Sequence, residues 1–165
     1  MKITYVSLQN FRSVLSQEGV GLDMPAGLYF MTGENQVEPE LEANGSGKSS
    51  FWEAICWALY GKTSRNLRAG DIGTWDIGKG TVVELGIQFE GDTQVLRRGW
   101  NPNSLTLDGK DITQADLERL VGLTQQAFLH SVFMSQFSPT FLDLSATDKA
   151  NLMSEVLNLD QWLDL

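Results

Sequence analysis

Three stretches of the chain predict an α/β fold. Gly27-Leu28-Tyr29-Phe30-Met31 is a short, continuous apolar run leading into Thr32-Gly33, the pattern of a buried strand that delivers a loop. Lys48 to Tyr60 has helical length, no internal Gly or Pro, and apolar residues nearly all round, so it reads as a buried helix. Val83 to Glu90 alternates with a period of two, the mark of a half-exposed antiparallel strand.

In chain order, Lys2 to Leu8 alternates apolar Ile3, Tyr5 and Leu8 with polar neighbours and forms a first strand, which Asn10-Phe11-Arg12-Ser13 interrupts. The apolar strand at 27–31 follows, then the helix, with Phe51, Ile55, Ala58 and Leu59 on one side and Trp52, Cys56 and Tyr60 on another. Beyond a glycine-rich loop from Gly61 to Gly80, the alternating strand turns at Gly91-Asp92 into Thr93 to Arg98, and Asp108-Gly109 makes a tight turn after Leu105-Thr106-Leu107. Thr113, with Asp116 three residues on, starts a helix through about Val121, and a second short helix starts near Thr124. Ser145 with Asp148 opens a last helix carrying Ala150, Leu152, Met153, Val156 and Leu157. No repeat, low-complexity tract or linker divides residues 1–165, which read as one domain.

Composition narrows the function. The 42% hydrophobic and 20% charged content is ordinary for a soluble globular protein, and no apolar run approaches the roughly 20 residues of a membrane-spanning helix. The N-terminus alternates as a strand and lacks the charged-then-apolar pattern of a secretory signal. Cys56, the one cysteine, has no partner for an internal disulfide, so a reducing, cytoplasmic setting is expected. A formal charge of −9 argues against a surface that attracts nucleic acid everywhere, leaving room for a local basic patch such as Lys62, Arg65 and Arg68. His130, expected in a helix-to-strand passage, has no second His or Cys nearby and carries no metal expectation. Trp52 and Trp57 read as core; Trp75 and Trp100, in loops, stay open.

The chemistry gathers at Gly45-Ser46-Gly47-Lys48-Ser49, the end of a Walker A motif, G-x-x-x-x-G-K-[ST]. Between a strand and a buried helix, such glycines let successive backbone N–H groups point into one concavity, and the helix N-terminus adds positive potential. Lys48 supplies a mobile cation, and Ser49 a hydroxyl for Mg²⁺ held between β- and γ-phosphates. Yet Glu42 stands where the motif's first glycine belongs, and Gly33-Glu34-Asn35 upstream looks like the missing first half. A run carrying Glu38, Glu40 and Glu42 therefore interrupts the loop. Removing Gln36 to Asn44 restores it, and removing Glu34 to Glu42 does so equally well. With an effective dielectric of ~20, a carboxylate about 10 Å from a phosphate charge costs ~1.5 kcal/mol before screening. The insertion is therefore expected to loop outward, with Pro39 starting a short turn and the Gly45 to Ser49 nest left intact.

Taken together, Asn10-Phe11-Arg12-Ser13 after a first strand, the loop Asn44 to Ser50, the helix end Ala58-Leu59-Tyr60-Gly61, the turn Leu107-Asp108-Gly109-Lys110 and the segment Phe128 to Phe137 resemble the N-terminal ATPase half of the SMC-like ABC ATPases. Within these the likeness is to the SbcC family and its phage relatives, ATPase subunits of double-strand-break repair and recombination nucleases. It covers nearly the whole chain. It implies a P-loop NTPase fold, ABC-type lobe one, with a mixed core sheet and an antiparallel β layer from about Val82 to Leu107. The implied ligands are ATP and Mg²⁺. By position, Gly33, Asn44 and the backbone of Gly45, Ser46, Gly47, Lys48 and Ser49 hold the phosphates, Ser49 the Mg²⁺ and Ser50 an α-phosphate oxygen. Arg12 and Ser13 approach the nucleotide from the side, and Gln136 is the Q-loop residue that senses Mg²⁺ and the γ-phosphate and joins Lys48 in catalysis.

The resemblance also implies partners: a C-terminal half beyond a long antiparallel coiled coil, a second ATPase head, a nuclease subunit and double-stranded DNA, with no membrane. Nucleotide-dependent head dimerisation would control DNA access to the nuclease. The acidic Walker B pair, Ser-Gly-Gly signature and histidine switch of that C-terminal half are not readable here, so the chain is expected to be half a catalytic domain that binds ATP and hydrolyses it only when assembled. Two rival readings are a P-loop kinase-like phosphotransferase and a non-catalytic nucleotide-binding module. The missing Walker B carboxylate and the setting of Gln136 count against the first.

Overall fold

The computed structural model describes residues 1–16, 18–36, 38–75, 77, 79–89, 91–134, 140–157 and 159. They fall into two compact units, Met1–Gln114 and Ala115–Leu165. In the first, β1 (Lys2–Gln9), β2 (Val20–Asp23), β3 (Thr81–Phe89), β4 (Asp92–Trp100), β5 (Ser104–Leu107) and β6 (Lys110–Asp111) make one sheet in the order β2-β1-β3-β4-β5-β6. Every neighbouring pair is antiparallel. Helix α1 (Lys48–Tyr60) packs on β3, β1 and β4.

Alternation explains the packing. Val83, Leu85 and Ile87 are fully buried, and register sets Leu85 between Val6 of β1 and Leu96 of β4, so a row of wholly buried aliphatic side chains crosses the sheet. Each such side chain contributes ~1.5–3 kcal/mol by leaving water. The helix answers with an unbroken buried run from Ala54 to Tyr60, as its all-round apolar sequence predicts. At its end Gly61 takes a left-handed conformation (φ 69°) and its N–H donates to the Trp57 carbonyl at 2.7 Å. Arg98 lies in the cross-strand row of Leu8 and Val83, and its Nε donates to the Ala58 carbonyl at 2.9 Å while Nη2 donates to Gln114 Oε1 at 2.5 Å. Gln114 Nε2 in turn donates to the Leu59 carbonyl at 3.1 Å, so two last-turn carbonyls find side-chain donors.

The second unit contains α3 (Gln125–Ser131) and α4 (Ala146–Val156), preceded by α2 (Gln114–Val121), which begins at the last residue of the first unit. Thr124 and Ser145 cap α3 and α4, accepting from Ala127 N and Asp148 N at 3.2 Å each. Glu155 accepts from Thr124 N at 2.6 Å and Thr124 Oγ1 at 3.0 Å, tying the start of α3 to α4. No helix among the described residues is long and apolar enough to cross a membrane.

Four readings need correction. Residues 27–31 are not a strand, and Leu28 and Phe30 are 102% and 91% exposed. An apolar run becomes a buried strand only where flanking strands accept its backbone groups, and no described strand pairs with it. For the same reason the described sheet is antiparallel throughout, without the parallel component of a mixed core sheet. β2 escaped prediction because Val20-Gly21-Leu22-Asp23 is a short run weakened by a glycine; all four residues are exposed, and the strand exists by pairing with the edge of β1. Trp100 ends β4 instead of lying in a loop, and His130 lies within α3 and not in a helix-to-strand passage.

Removing the Arg98 side chain should release the last-turn carbonyl of α1 and the hold on Gln114. Arg98→Ala is expected to lower unfolding free energy by ~1–3 kcal/mol in urea titration, with far-ultraviolet circular dichroism of the native state unchanged.

Candidate nucleotide site

The loop before α1 folds around two left-handed glycines at the head of the helix. Gly47 is the N-cap of α1 in a left-handed conformation (φ 88°) with no capping side chain, and Gly45 is also left-handed (φ 76°). A β-carbon on Gly33 would lie 2.1 Å from Ser46 Oγ and 2.6 Å from Ser46 Cβ, so glycine is required there for close approach of the two halves of the motif. Gly33 thus sits against the loop despite the intervening residues. Lys48 Nζ donates to the Ala43 carbonyl and, at 3.1 Å, to Ser46 Oγ; Ser46 Oγ donates to the same carbonyl at 2.8 Å. Ser49 is exposed in the first turn of α1, and Ser50 is buried.

The inserted run leaves and returns at a pinch made by Asn35. Its N–H donates to the Glu42 carbonyl at 2.9 Å, its Nδ2 donates to the Asn44 carbonyl at 3.0 Å, and its Oδ1 accepts from Glu38 N at 2.9 Å. Between these bonds Pro39–Leu41 forms a 3₁₀ turn with proline in its first positions, as expected. Glu38, Glu40 and Glu42 are all exposed. The two alignments left open by the sequence therefore meet at one place, where Asn35 and Asn44 lie side by side.

One wall of the site comes from the interruption after β1. Phe11 is fully buried, its ring 5.6 Å from that of Trp57. On either side of it, Asn10 O accepts from Thr74 N at 3.0 Å and Arg12 N donates to the Ile72 carbonyl at 2.8 Å, with Asn10 and Arg12 both left-handed (φ 48° and 50°). This anchor presents Ser13 to α1: Ser13 Oγ donates to Ser50 Oγ at 2.9 Å, and a β-carbon on Gly47 would approach Ser13 Oγ to 3.0 Å. Arg12, Ser13 and Ser50, with Leu67, Asp71, Thr74 and Trp75, line an open cleft of about 480 Å³. Trp75 is 87% exposed on its rim. The loop that carries these last residues leaves α1 through Glu53, a buried carboxylate accepting from Ser64 N at 2.7 Å and from Ser64 Oγ, with Arg65 Nε at 3.8 Å.

The structure thus brings together Arg12, Ser13, Gly33, Asn44, Gly45, Ser46, Gly47, Lys48, Ser49 and Ser50 around the N-terminus of α1. Gln136 lies outside the described residues. Sequence reasoning missed the staple Asn35 and the cleft residues Leu67, Asp71 and Thr74, and left Trp75 open; only the return of the 67–75 loop to the early loop reveals them. The arrangement can take a polyanion at the helix N-terminus, where Lys48 and oriented backbone dipoles favour negative charge, with an aromatic face alongside for a ring.

The chain has relatives among known proteins. The profile of the AAA domain family matches residues 5–159. Exonuclease subunit 2 of Enterobacteria phage T4 is 26% identical over 171 residues, covering 96% of this chain and 29% of that protein. The DNA double-strand break repair Rad50 ATPase of Methanocaldococcus jannaschii is 26% identical over 174 residues, covering 98% of this chain and 16% of that protein. A solved structure of the recombination mediator protein RecF-ATPrS superposes with a TM-score of 0.51 at 16% identity, over 70% of this chain and 29% of that one, a likeness of fold. The chain spans less than a third of the length of each of these relatives.

Gly33→Ala should push Ser46 and the returning limb away from Lys48. Mg·ATP titration is expected to show binding weakened about tenfold or more, ~1.4 kcal/mol, while the thermal unfolding midpoint of the sheet stays within about 2 °C.

Proposed function

We propose, for a chain that belongs to the AAA domain family and resembles the N-terminal half of the SMC-like ABC ATPases, that it is the ATP-binding N-terminal lobe of a DNA repair or recombination ATPase. The observation that carries this is the geometry of the loop before α1: Gly33 seated on Ser46, Gly47 left-handed at the head of α1, and Ser13 bonded to Ser50 across it.

In this reading the phosphates rest on the backbone of Gly45 to Ser49, and Lys48 turns from its present oxygen partners to the β- and γ-phosphates, a stronger charge-assisted pairing. Mg²⁺, when bound, neutralises charge between those phosphates, with the exposed Ser49 hydroxyl as its protein ligand. Ser50 and Ser13 position the α-phosphate side, Arg12 flanks it, and the base enters the cleft beside Trp75. Gln136 acts as the Q-loop sensor. Lys48 and Gln136 serve the reaction, while the water-positioning carboxylates come from a C-terminal half.

Residues 1–165 form the N-terminal part of the head, its ABC-type lobe one. Nucleotide binding by two such heads draws them together and controls access of double-stranded DNA to a partner nuclease. The relatives, an exonuclease subunit and a double-strand break repair ATPase, support this assignment.

Lys48→Ala is expected to abolish Mg·ATP binding with unchanged circular dichroism, since this lysine is held by loop oxygens and not by the core. Trp75→Ala should weaken ATP about fivefold, of the order expected from losing one ring stack, and weaken inorganic triphosphate hardly at all. The chain alone should show negligible ATP turnover, restored by a C-terminal half; robust Lys48-dependent hydrolysis by the chain alone would overturn the half-site assignment.

A further inference from the structure

Trp100, Lys62 and Arg68 take no part in the loop before α1, yet they gather at the far end of that helix. A cleft of about 450 Å³ opens there, within the first unit, between the end of α1 and the turn from β4 to β5. Its volume is that of a small-molecule site, about 300–1,000 Å³. Trp57, Trp100 and Leu105 supply apolar wall, while Arg98, Asn103 and Ser104 supply polar atoms. Asn103 and Ser104 are exposed, and each side chain can both donate and accept a hydrogen bond. The 13 residues of α1, about 20 Å of helix, separate this end from the phosphate-loop end. Among the described lining residues only Leu67 is shared with the cleft beside Trp75.

Positive charge collects around the same opening. Lys62 follows the lining residue Gly61, and Arg68 follows Leu67. Lys79 precedes Gly80, whose N–H donates to the Asn101 carbonyl at 2.9 Å in the β4–β5 turn. All three are exposed, and the Arg98 guanidinium adds a permanent cation to the wall. No carboxylate is among the described lining residues; Asp71, next to Ile72, lines the other cleft. In a chain of net charge −9 this is a local reversal of field that draws anions to one place. Because α1 ends here, and a helix C-terminus disfavours negative charge against it, the interior suits an uncharged ring and the rim suits an anionic group.

We propose that this cleft takes an unpaired nucleobase, stacked on Trp100 and met at its edge by Asn103 and Ser104, with the adjoining phosphate beside Lys62, Arg68 and Lys79. A base has a flat apolar face and an edge of donors and acceptors, the complement of this lining. The phosphate belongs to a free nucleotide or to a strand. A paired base has its edge occupied and its faces covered by neighbours, so a duplex is kept out of the cleft. The assignment does not depend on the nucleotide reading of the loop before α1.

The unmodified chain is tested first, by ultraviolet cross-linking to a short mixed-sequence oligodeoxynucleotide in which bromodeoxyuridine replaces thymidine. The adduct should map within residues 98–105; an adduct confined to other residues overturns the proposal. In fluorescence anisotropy the single strand should bind about fivefold or more tighter than the same strand paired with its complement, the scale of one base stack, and equal affinity overturns it. With native circular dichroism, Trp100→Ala should weaken the single strand about fivefold and the exposed Asn103→Ala about threefold, the scale of one neutral hydrogen bond. Replacing Lys62 and Lys79 together by glutamine should flatten the dependence of log affinity on log salt by up to ~1.4, at ~0.7 for each phosphate contact on a single strand. Unchanged binding by both Asn103→Ala and the lysine pair overturns the cleft as the site, as does loss of binding in Lys48→Ala. Competition by thymidine monophosphate at the cleft identifies a free nucleotide as the occupant, and failure to compete identifies a nucleotide within a strand.

Discussion

A helix that is apolar nearly all round has to be covered all round, and the burial of α1 is the constraint on which the rest of the first unit depends. β3 lies under it with Val83, Leu85 and Ile87, and β1 and β4 extend the same surface. Once the helix axis is fixed, so is the place where its N-terminal amides emerge. Phe11, packed on Trp57 of that helix, then fixes the early loop, and through it Ser13 against Ser50. The polar site is thus positioned by an apolar contact: the side chains that would meet a nucleotide are held by neighbours that never could.

Polar groups secure the helix where apolar burial does not reach. At its C-terminal end Arg98 and Gln114 satisfy the carbonyls of Ala58 and Leu59. On its flank Glu53, 3% exposed, is reconciled with burial by Ser64 and Arg65, and so tethers the loop that returns towards the cleft. Two kinds of carboxylate therefore stand near the site. Glu53 is buried and fully occupied with protein donors, whereas Glu38, Glu40 and Glu42 are in water, where solvent and salt weaken their field at the phosphate loop.

The tolerance of the insertion follows from polymer physics as well as from charge. Loop-closure entropy rises only slowly with length, so a longer excursion costs little provided its ends are held together, and Asn35 holds them. A motif search requires a fixed number of residues between glycines. The physical requirement is different: Gly33 and Gly47 must arrive at the same helix end, one permitting close approach to Ser46 and the other the left-handed turn.

Local chemistry made much of this legible in the sequence. The limits of α1, the turns at Gly91-Asp92 and Asp108-Gly109, and the starts of α3 and α4 depend on residues within a few positions of one another, as does the left-handed glycine loop before α1. Pro39 likewise fixed where the insertion turns. The sequence could not determine whether Leu28 to Met31 is a strand, because strand formation needs a neighbour from another segment. Nor could it reveal β2, a four-residue run with a glycine inside that becomes a strand only by pairing with the edge of β1. The pinch at Asn35 and the cleft joining Arg12 to Asp71, Thr74 and Trp75 were decided only by tertiary structure, since the pinch needs Asn35 to meet backbone groups of 38–44 and the cleft needs the early loop and the 67–75 loop to meet through backbone hydrogen bonds to which any side-chain pattern is blind.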